Sequence, residues 1–231
     1  MQLFFCYRVD GLSASLNEEE SRHLKVLRKQ NGDTISCVDG KGHLMQCRII
    51  KIGKVESELE VLSSDLMPSE RNYQLHLFIA PTKNNERIEW MLEKAVEAGI
   101  DSINLIETEH SEKHRVNLQR LERIAISALK QSGRYYLPAI NGLVKLPEAE
   151  LKPDFFFAHC AEDQKMTLKQ FFSNAAPSGV YQVLVGPEGD FSAAEIQYLK
   201  ERGGKALSLG NARLRTETAG LYIAVTFSAL S

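Results

Sequence analysis

The sequence predicts an α/β protein with a parallel sheet in its C-terminal two thirds and a small β-barrel ahead of it. Three observations carry this. From Leu75 onward, apolar strand-like runs alternate with segments of helical periodicity, as in βαβ units with right-handed crossovers. Before Glu70 the chain holds short strand-like runs separated by glycine turns, the pattern of a small barrel. Between Tyr181 and Ser231, two strands each break into a tight loop that opens a helix.

Leu3 to Val9 is the first predicted strand. Asn17 is placed to cap a short helix over Glu18 to Leu24, whose three acidic residues suit the positive end of the helix dipole. Thr34 to Val38 and His43 to Ile52 read as strands joined by the turn Asp39-Gly40-Lys41-Gly42, and Glu58 to Leu62 alternates as a further strand. Arg22, His23, Lys25, Arg28 and Lys29 form the densest basic cluster in the chain. Such a run is either the solvated face of a helix or a phosphate-contacting patch that gives affinity without sequence choice.

Ser63 to Asn72 is polar and contains Pro68, so the linker is expected there, with domains at 1–70 and 71–231. Leu75 to Ala80 is the next predicted strand. Ile88, Met91, Leu92, Ala95 and Val96 then share one helical face, and Gly99 ends that helix. Trp90, the only tryptophan, lies beside that face and is read as packing rather than as a base-stacking platform. Ser102 to Ile106 is a strand, and Leu118 to Gln131 a helix with Leu121, Ile124, Ala125, Ala128 and Leu129 inward. His110 and His114, four apart, would share one face of a helix, but the pattern is not H-E-x-x-H and no third ligand is placed, so no metal is expected. Phe155 to Ala158 is a strand ending at His159, read either as orienting a ligand or as a hydrogen-bonded histidine at a strand end. Thr167 to Phe172 is a short helix, and Ala176-Pro177-Ser178-Gly179 a loop.

The closing segment is the most informative. Val183 to Val185 breaks at Gly186-Pro187-Glu188-Gly189-Asp190-Phe191, and Ser192 with Glu195 forms a capping box that starts a helix ended by Gly203-Gly204. A strand over Ala206 to Leu209 leads through Gly210 and Asn211 to the final helix. Two such loops belong side by side at the carboxyl edge of a parallel sheet, where open α/β sheets bind ligands. Neither is a phosphate cradle of the G-x-x-x-x-G-K-[ST] or G-x-G-x-x-G kind, so the ligand expected is an adenine or nucleoside read by backbone groups. In the last helix Leu221, Ile223, Ala224, Val225, Phe227 and Leu230 cover more than one face, which predicts burial on several sides and a subunit interface.

Composition excludes little. The 231 residues are 43% hydrophobic and 25% charged with a formal net charge of -2, so any RNA contact must come from local patches. Cys6, Cys37, Cys47 and Cys160 are isolated, with no C-x-x-C, and fit a reducing cytosol. The longest apolar run, Ala219 to Leu230, is shorter than the roughly 20 residues a bilayer span needs. A cytoplasmic protein with no membrane partner is expected.

Val185 to Ile196 (V-G-P-E-G-D-F-S-A-A-E-I) and Leu209 to Ala219 (L-G-N-A-R-L-R-T-E-T-A) together resemble the C-terminal motifs of the SPOUT methyltransferases. Within these they are most similar to the family that methylates N3 of a uridine in bacterial 16S ribosomal RNA. Arg22 to Arg28 is similar to that family's N-terminal PUA-like barrel at His23, Val26, Leu27 and Arg28, and Gln131, Arg134 and Pro138 match a family arrangement in which a glutamate commonly stands at Lys130. Lys83, Arg87, Lys94 and Glu97 also match family positions.

The resemblance implies a trefoil-knotted SPOUT domain behind a PUA-like β-barrel, S-adenosyl-L-methionine as cosubstrate, 16S rRNA or the small ribosomal subunit as partner, and a homodimer. It implies cofactor contacts from His159, Gly186, Pro187, Glu188, Gly189, Leu209, Gly210, Leu214 and Thr218, RNA contacts from Arg22, His23, Lys25, Arg28 and Arg134, and catalytic roles for Arg215 and Glu217. Uridine N3 carries a proton, so the reaction needs a base or a cation that stabilises the uridine anion. Arg215 suits the cation. Glu217 suits either chemistry or the first turn of the last helix. The chain departs from the family pattern at Asp190, where glycine is usual, and at Asn211-Ala212-Arg213, where an arginine followed by isoleucine is usual. Another SPOUT enzyme acting on a different ribosomal site or on transfer RNA, and an RNA-binding factor without activity, are the alternatives.

Overall fold

A computed structural model describes residues 2–69, 71–174 and 179–229. The expected boundary at Glu70, the loop at Ala176-Pro177-Ser178, and Leu230 lie outside the described residues. Contacts divide the chain into two compact units. The first is Met1–Glu70 with Ile126–Leu137, and the second is Arg71–Ala125 with Pro138–Ser231.

The first unit is built from β1 (Leu3–Phe5), β2 (Arg8–Asp10), β3 (Ser13–Leu16), α1 (Glu18–Val26), β4 (Thr34–Val38), β5 (His43–Lys51) and β6 (Ser57–Leu66). Its six strands lie in the order β1-β4-β5-β6-β3-β2. The two edge strands are successive parts of one stretch. Cys6 N–H donates to Val38 O at 2.8 Å and Tyr7 N–H to Ser15 O at 3.2 Å, so the chain leaves β4 and joins β3 within two residues and brings the sheet edges together. The single strand expected over Leu3 to Val9 is therefore two, because it changes neighbour midway. Strand β3, with the sequence Ser-Ala-Ser-Leu, was not anticipated, since it lacks the β-branched and aromatic residues that mark strands. Asn17 caps α1, its side chain accepting from Glu20 N–H at 3.0 Å. Glu20 itself is buried and paired with Lys130, so the end of the helix that carries Lys130 lies against α1.

The second unit contains β7 (Tyr73–Ile79), α2 (Asn85–Ala98), β8 (Ser102–Glu107), most of α3 (Leu118–Ser132), β9 (Ala139–Lys145), β10 (Phe156–Ala158), β11 (Met166–Thr167), α4 (Leu168–Asn174), β12 (Gly179–Val185), α5 (Ala193–Glu201), β13 (Lys205–Ser208) and α6 (Thr216–Ala229). Its seven strands run in the order β11-β13-β10-β12-β7-β8-β9, and every pairing is parallel. Strand β13 is laid between β10 and β11, both of which precede it in the chain. Strand β9 gave no usable periodicity because it is an edge strand, half exposed and interrupted by Gly142.

All five apolar residues expected inward on α2 are buried. Helix α3 buries Leu121, Ala125, Ala128 and Leu129 as expected, with Ile126 added and Ile124 only half-buried. Helix α6 buries Ala219, Gly220, Ile223, Ala224 and Phe227. Gly220 lets α6 approach closely, since a Cβ there would stand 2.9 Å from Ile79 Cδ1 and 3.3 Å from Met91 Sδ, and those side-chain ends would have to shift. Val225 and Tyr222 are exposed, so within this chain α6 is covered on one side rather than on several. Trp90 is likewise nearly half exposed and does not pack into the core. No helix among the described residues is long and apolar enough to cross a membrane.

Candidate active site

Sheet register explains where the site forms. Ala158 at the end of β10 pairs with Val185 at the end of β12 on one side and with Leu207 of β13 on the other. Three loops therefore leave the carboxyl edge of the sheet side by side. Between them is a cavity of about 420 Å³, within the roughly 300–1,000 Å³ typical of sites for nucleoside-sized ligands. Its walls come from Ala158 to Cys160 with Lys165, from Val185 to Glu188 with Asp190, and from Leu207 to Thr216 with Ala219.

The loops are tied to one another. Thr216 Oγ1 donates to Gly186 O at 3.1 Å, joining the start of α6 to the loop after β12. Asp190 Oδ2 accepts from Cys160 N–H at 2.7 Å, joining that loop to the one after β10. Asp190 N–H donates to Pro187 O at 2.9 Å and closes the turn. Asp190 adopts a φ of 65°, the left-handed region that favours glycine. The departure noted in the sequence thus has a use here, because aspartate tolerates the conformation and its carboxylate reaches a neighbouring loop. Glu188 Oε1 accepts from Lys83 N–H at 3.2 Å. The capping box of Ser192 and Glu195 is present, and Glu195 also accepts from Glu109 N–H at 2.8 Å.

His110 contacts the carbonyls of Gly189 and Asp190 at 3.1 Å each. His114 instead pairs with Glu107 at 2.6 Å, and the segment between the two histidines is not helical. The shared helical face inferred from their spacing does not form.

His159 is buried in the cavity wall, stacked on Phe157 with ring centroids 5.1 Å apart. Asp163 stands 3.4 Å from its Nε2, outside hydrogen-bonding geometry, and neither ring nitrogen has a hydrogen-bond partner among the described residues. Burial holds its pKa below the ordinary histidine value, against the opposing pull of Asp163. The neutral ring is favoured, and the side chain is wholly inaccessible behind the cavity wall.

A shallower crevice adjoins the cavity and shares Arg213, Leu214 and Arg215 with it. Asn84, Glu86, Arg87, Trp90, Glu217 and Thr218 complete it. Glu217 is buried, its Oε1 lies 3.7 Å from Arg87 Nε, and its Oε2 has no hydrogen-bond partner among the described residues.

The cavity thus gathers His159, Gly186, Pro187, Glu188, Leu209, Gly210, Leu214 and Arg215 from the sequence-derived set. Glu217 and Thr218 line the adjoining crevice instead. Gly189 lines neither, and a Cβ there would stand 2.9 Å from His110 Cβ, so close packing on His110 is what requires a glycine. Arg22, His23, Lys25, Arg28 and Arg134 all fall in the first unit although Arg134 is remote in sequence. The residues that sequence reasoning passed over are Thr216 and Cys160. Each acts through a tie between loops, which no local pattern encodes.

A parallel sheet with three loops around a cavity at its carboxyl edge defines an α/β ligand-binding domain. The RNA methyltransferase domain family matches residues 69–228, and the RNA methyltransferase PUA domain family matches residues 16–62. A crystal structure of a probable rRNA methyltransferase from Porphyromonas gingivalis is 34% identical, with a TM-score of 0.89, covering 100% of this chain and 98% of that one. The ribosomal RNA small subunit methyltransferase E of Neisseria gonorrhoeae, solved bound to S-adenosylmethionine, is 28% identical with a TM-score of 0.83 and coverage of 100% and 98%. The enzyme of the same name from Aquifex aeolicus is 29% identical over 96% of this chain and 97% of its own length. The chain belongs to the ribosomal RNA small subunit methyltransferase E family, with a PUA-type domain and a SPOUT-type methyltransferase domain.

Proposed function

We propose that this protein methylates N3 of a uridine in 16S ribosomal RNA, with S-adenosylmethionine as donor. The observation that carries the reading is the convergence of three loops on one cavity with Arg215 at its junction with the adjoining crevice. The cavity suits the donor by size. His159, Gly186, Pro187, Glu188, Leu209, Gly210 and Leu214 are assigned to hold it, with Gly189 and Thr218 supporting from outside. When bound, the donor supplies a methyl group already activated on a sulfonium.

What remains for the chain is alignment and one proton. Glu217, which lines the crevice, is assigned to accept the N3 proton, and Arg87 beside Oε1 balances the carboxylate charge. Arg215 is assigned to the negative charge that develops on the uracil as that proton leaves. Glu217 also sits in the first turn of α6, where a carboxylate is favoured, so its fixed position costs little.

Residues 1–70 are read as the RNA-binding domain and 71–231 as the catalytic domain, with Arg22, His23, Lys25, Arg28 and Arg134 on the RNA phosphates. The exposed Trp90, Tyr222 and Val225 lie on α2 and α6 and support a symmetric homodimer. Sedimentation showing a monomer at micromolar concentration would contradict that dimer. Because ribosomal subunits are cytoplasmic, so is the proposed site of action.

Mapping modified nucleotides in ribosomes from a deletion strain tests the reading. One N3-methyluridine in 16S rRNA should vanish and return with the intact gene, but not with Arg215→Ala, whose circular dichroism should be unchanged. Calorimetry with S-adenosylmethionine should show binding. An unchanged 16S rRNA, or a loss confined to transfer RNA, would reject the assignment.

A further inference from the structure

The sequence scatters Cys6, Cys37 and Cys47, and the fold gathers them. Their sulfurs lie within 4.8 Å of one another, in the core of the first unit. Topology explains the meeting. Cys47 pairs with Ile35 across β4 and β5, and Cys37, two residues along, projects from the same face. Cys6 sits in the link where the chain passes from β4 to β3, its N–H donating to Val38 O. All three are buried, and Cys37 and Cys47 are wholly inaccessible. Met45, the cross-strand partner of Cys37, belongs to the same core and brings a thioether to that face.

Buried cysteines commonly pack as small hydrophobes. This trio has a further property: no histidine, aspartate or glutamate joins the group among the described residues. The donors are sulfur alone, in an apolar core formed with Phe4, Leu16, Leu24 and Ile35.

We propose that Cys6, Cys37 and Cys47 form a binding site for a soft, low-coordinate cation of the copper(I) class, with Met45 available as a fourth sulfur. Thiolate and thioether ligands select copper(I), whereas structural zinc is almost always held by four cysteine, histidine or carboxylate ligands, and only three are present here. Binding replaces thiol protons, which leave to solvent, and transfers no electron. A bound ion would pin β4, β5 and the β1–β2 link together at the seam of the barrel. The site belongs to the first unit and the cavity to the second, and the proposal does not rest on the proposed reaction.

The test uses the full chain with Cys160→Ser, which removes the one exposed thiol. It is incubated anaerobically with copper(I) held by bicinchoninate. One equivalent should pass to the protein, with thiolate-to-copper absorption in the near ultraviolet and a raised melting temperature, since a ligand that binds only the folded state stabilises it. Cys37→Ala in the same background should lose the uptake. X-ray absorption on the loaded parent should show a first shell of sulfur alone, and it decides the matter even where Cys37→Ala fails to fold. Copper retained by the chelator, nitrogen or oxygen in the first shell, or full uptake by folded Cys37→Ala would overturn the proposal.

Discussion

The Thr216 hydroxyl donates to the Gly186 carbonyl at 3.1 Å, and both residues are buried. This bond fixes the first turn of α6 against the first residue of the loop after β12. Thr216→Val keeps the shape and leaves a buried carbonyl without its partner, which costs about 1–3 kcal/mol. Because the two walls of the cavity are joined there, affinity for S-adenosylmethionine should fall together with the melting temperature. Calorimetry and thermal unfolding of the variant check this, and unchanged affinity would show that the loops hold their places independently.

Asp190 separates two effects that usually travel together. Its φ of 65° disfavours a side chain, yet its carboxylate holds Cys160 N–H at 2.7 Å. Asp190→Gly relieves the strain and loses the bond, so stability should change by less than about 1 kcal/mol. Asp190→Ala keeps the strain and loses the bond, so it should cost about 2 kcal/mol. Both should weaken cofactor binding. Chemical denaturation of the two variants side by side is the measurement, and an alanine variant as stable as the glycine variant would contradict the account.

These two ties also show what a sequence can and cannot reveal. The strand–loop–helix pattern of Val183 to Ile196 is local chemistry, and Ser192 and Glu195 announce their capping box by spacing alone. The cavity itself depends on the register that sets Ala158 between Val185 and Leu207, which strands nearly 50 residues apart decide together. The three gathered cysteines are hidden for the same reason, since β-pairing brings them together and no spacing rule encodes it. Strand β9 escaped notice because its position at the sheet edge removes the burial that would have imposed a hydrophobic period. The four-residue spacing of His110 and His114 has no helix to act on, since the segment between them is not helical.

His159 makes a prediction about pH. Burial lowers its folded-state pKa below the ordinary 6.5, so between those two values the unfolded chain binds more protons than the folded one. Its contribution to stability is therefore full above pH 6.5 and is lost as pH falls toward the folded value. His76, also lowered by burial, acts in the same window. The difference in melting temperature between the intact chain and His159→Gln should shrink from pH 7.5 to pH 5, a range of about 2–3 units around the histidine value. Cofactor affinity of the intact chain should fall over the same range, because protonation puts a charge on a ring buried behind the cavity wall. A difference that stays constant across the range would show that the imidazole titrates as it does in water.

Glu20 and Lys130 form an ion pair inside the first unit, with the carboxylate buried. Glu20 is 2% exposed, its Oε1 meets the Lys130 ammonium, and its Oε2 has no hydrogen-bond partner. Such a carboxylate tolerates its surroundings only while the cation stays beside it. Lys130→Met leaves a buried charge without its counterion and should destabilise the chain by about 3–5 kcal/mol. Adding Glu20→Leu to that variant removes the stranded charge, and an apolar pair of similar volume is often neutral or better in such positions. The double variant should therefore recover most of the lost stability, which urea unfolding with an unchanged denaturant slope would register. If the two changes merely added, the pair would not be acting as a unit. The reciprocal case then tests the direction of dependence: Glu20→Leu alone should cost less than Lys130→Met alone, because Lys130 is partly exposed and its ammonium can turn to water whereas the Glu20 carboxylate cannot.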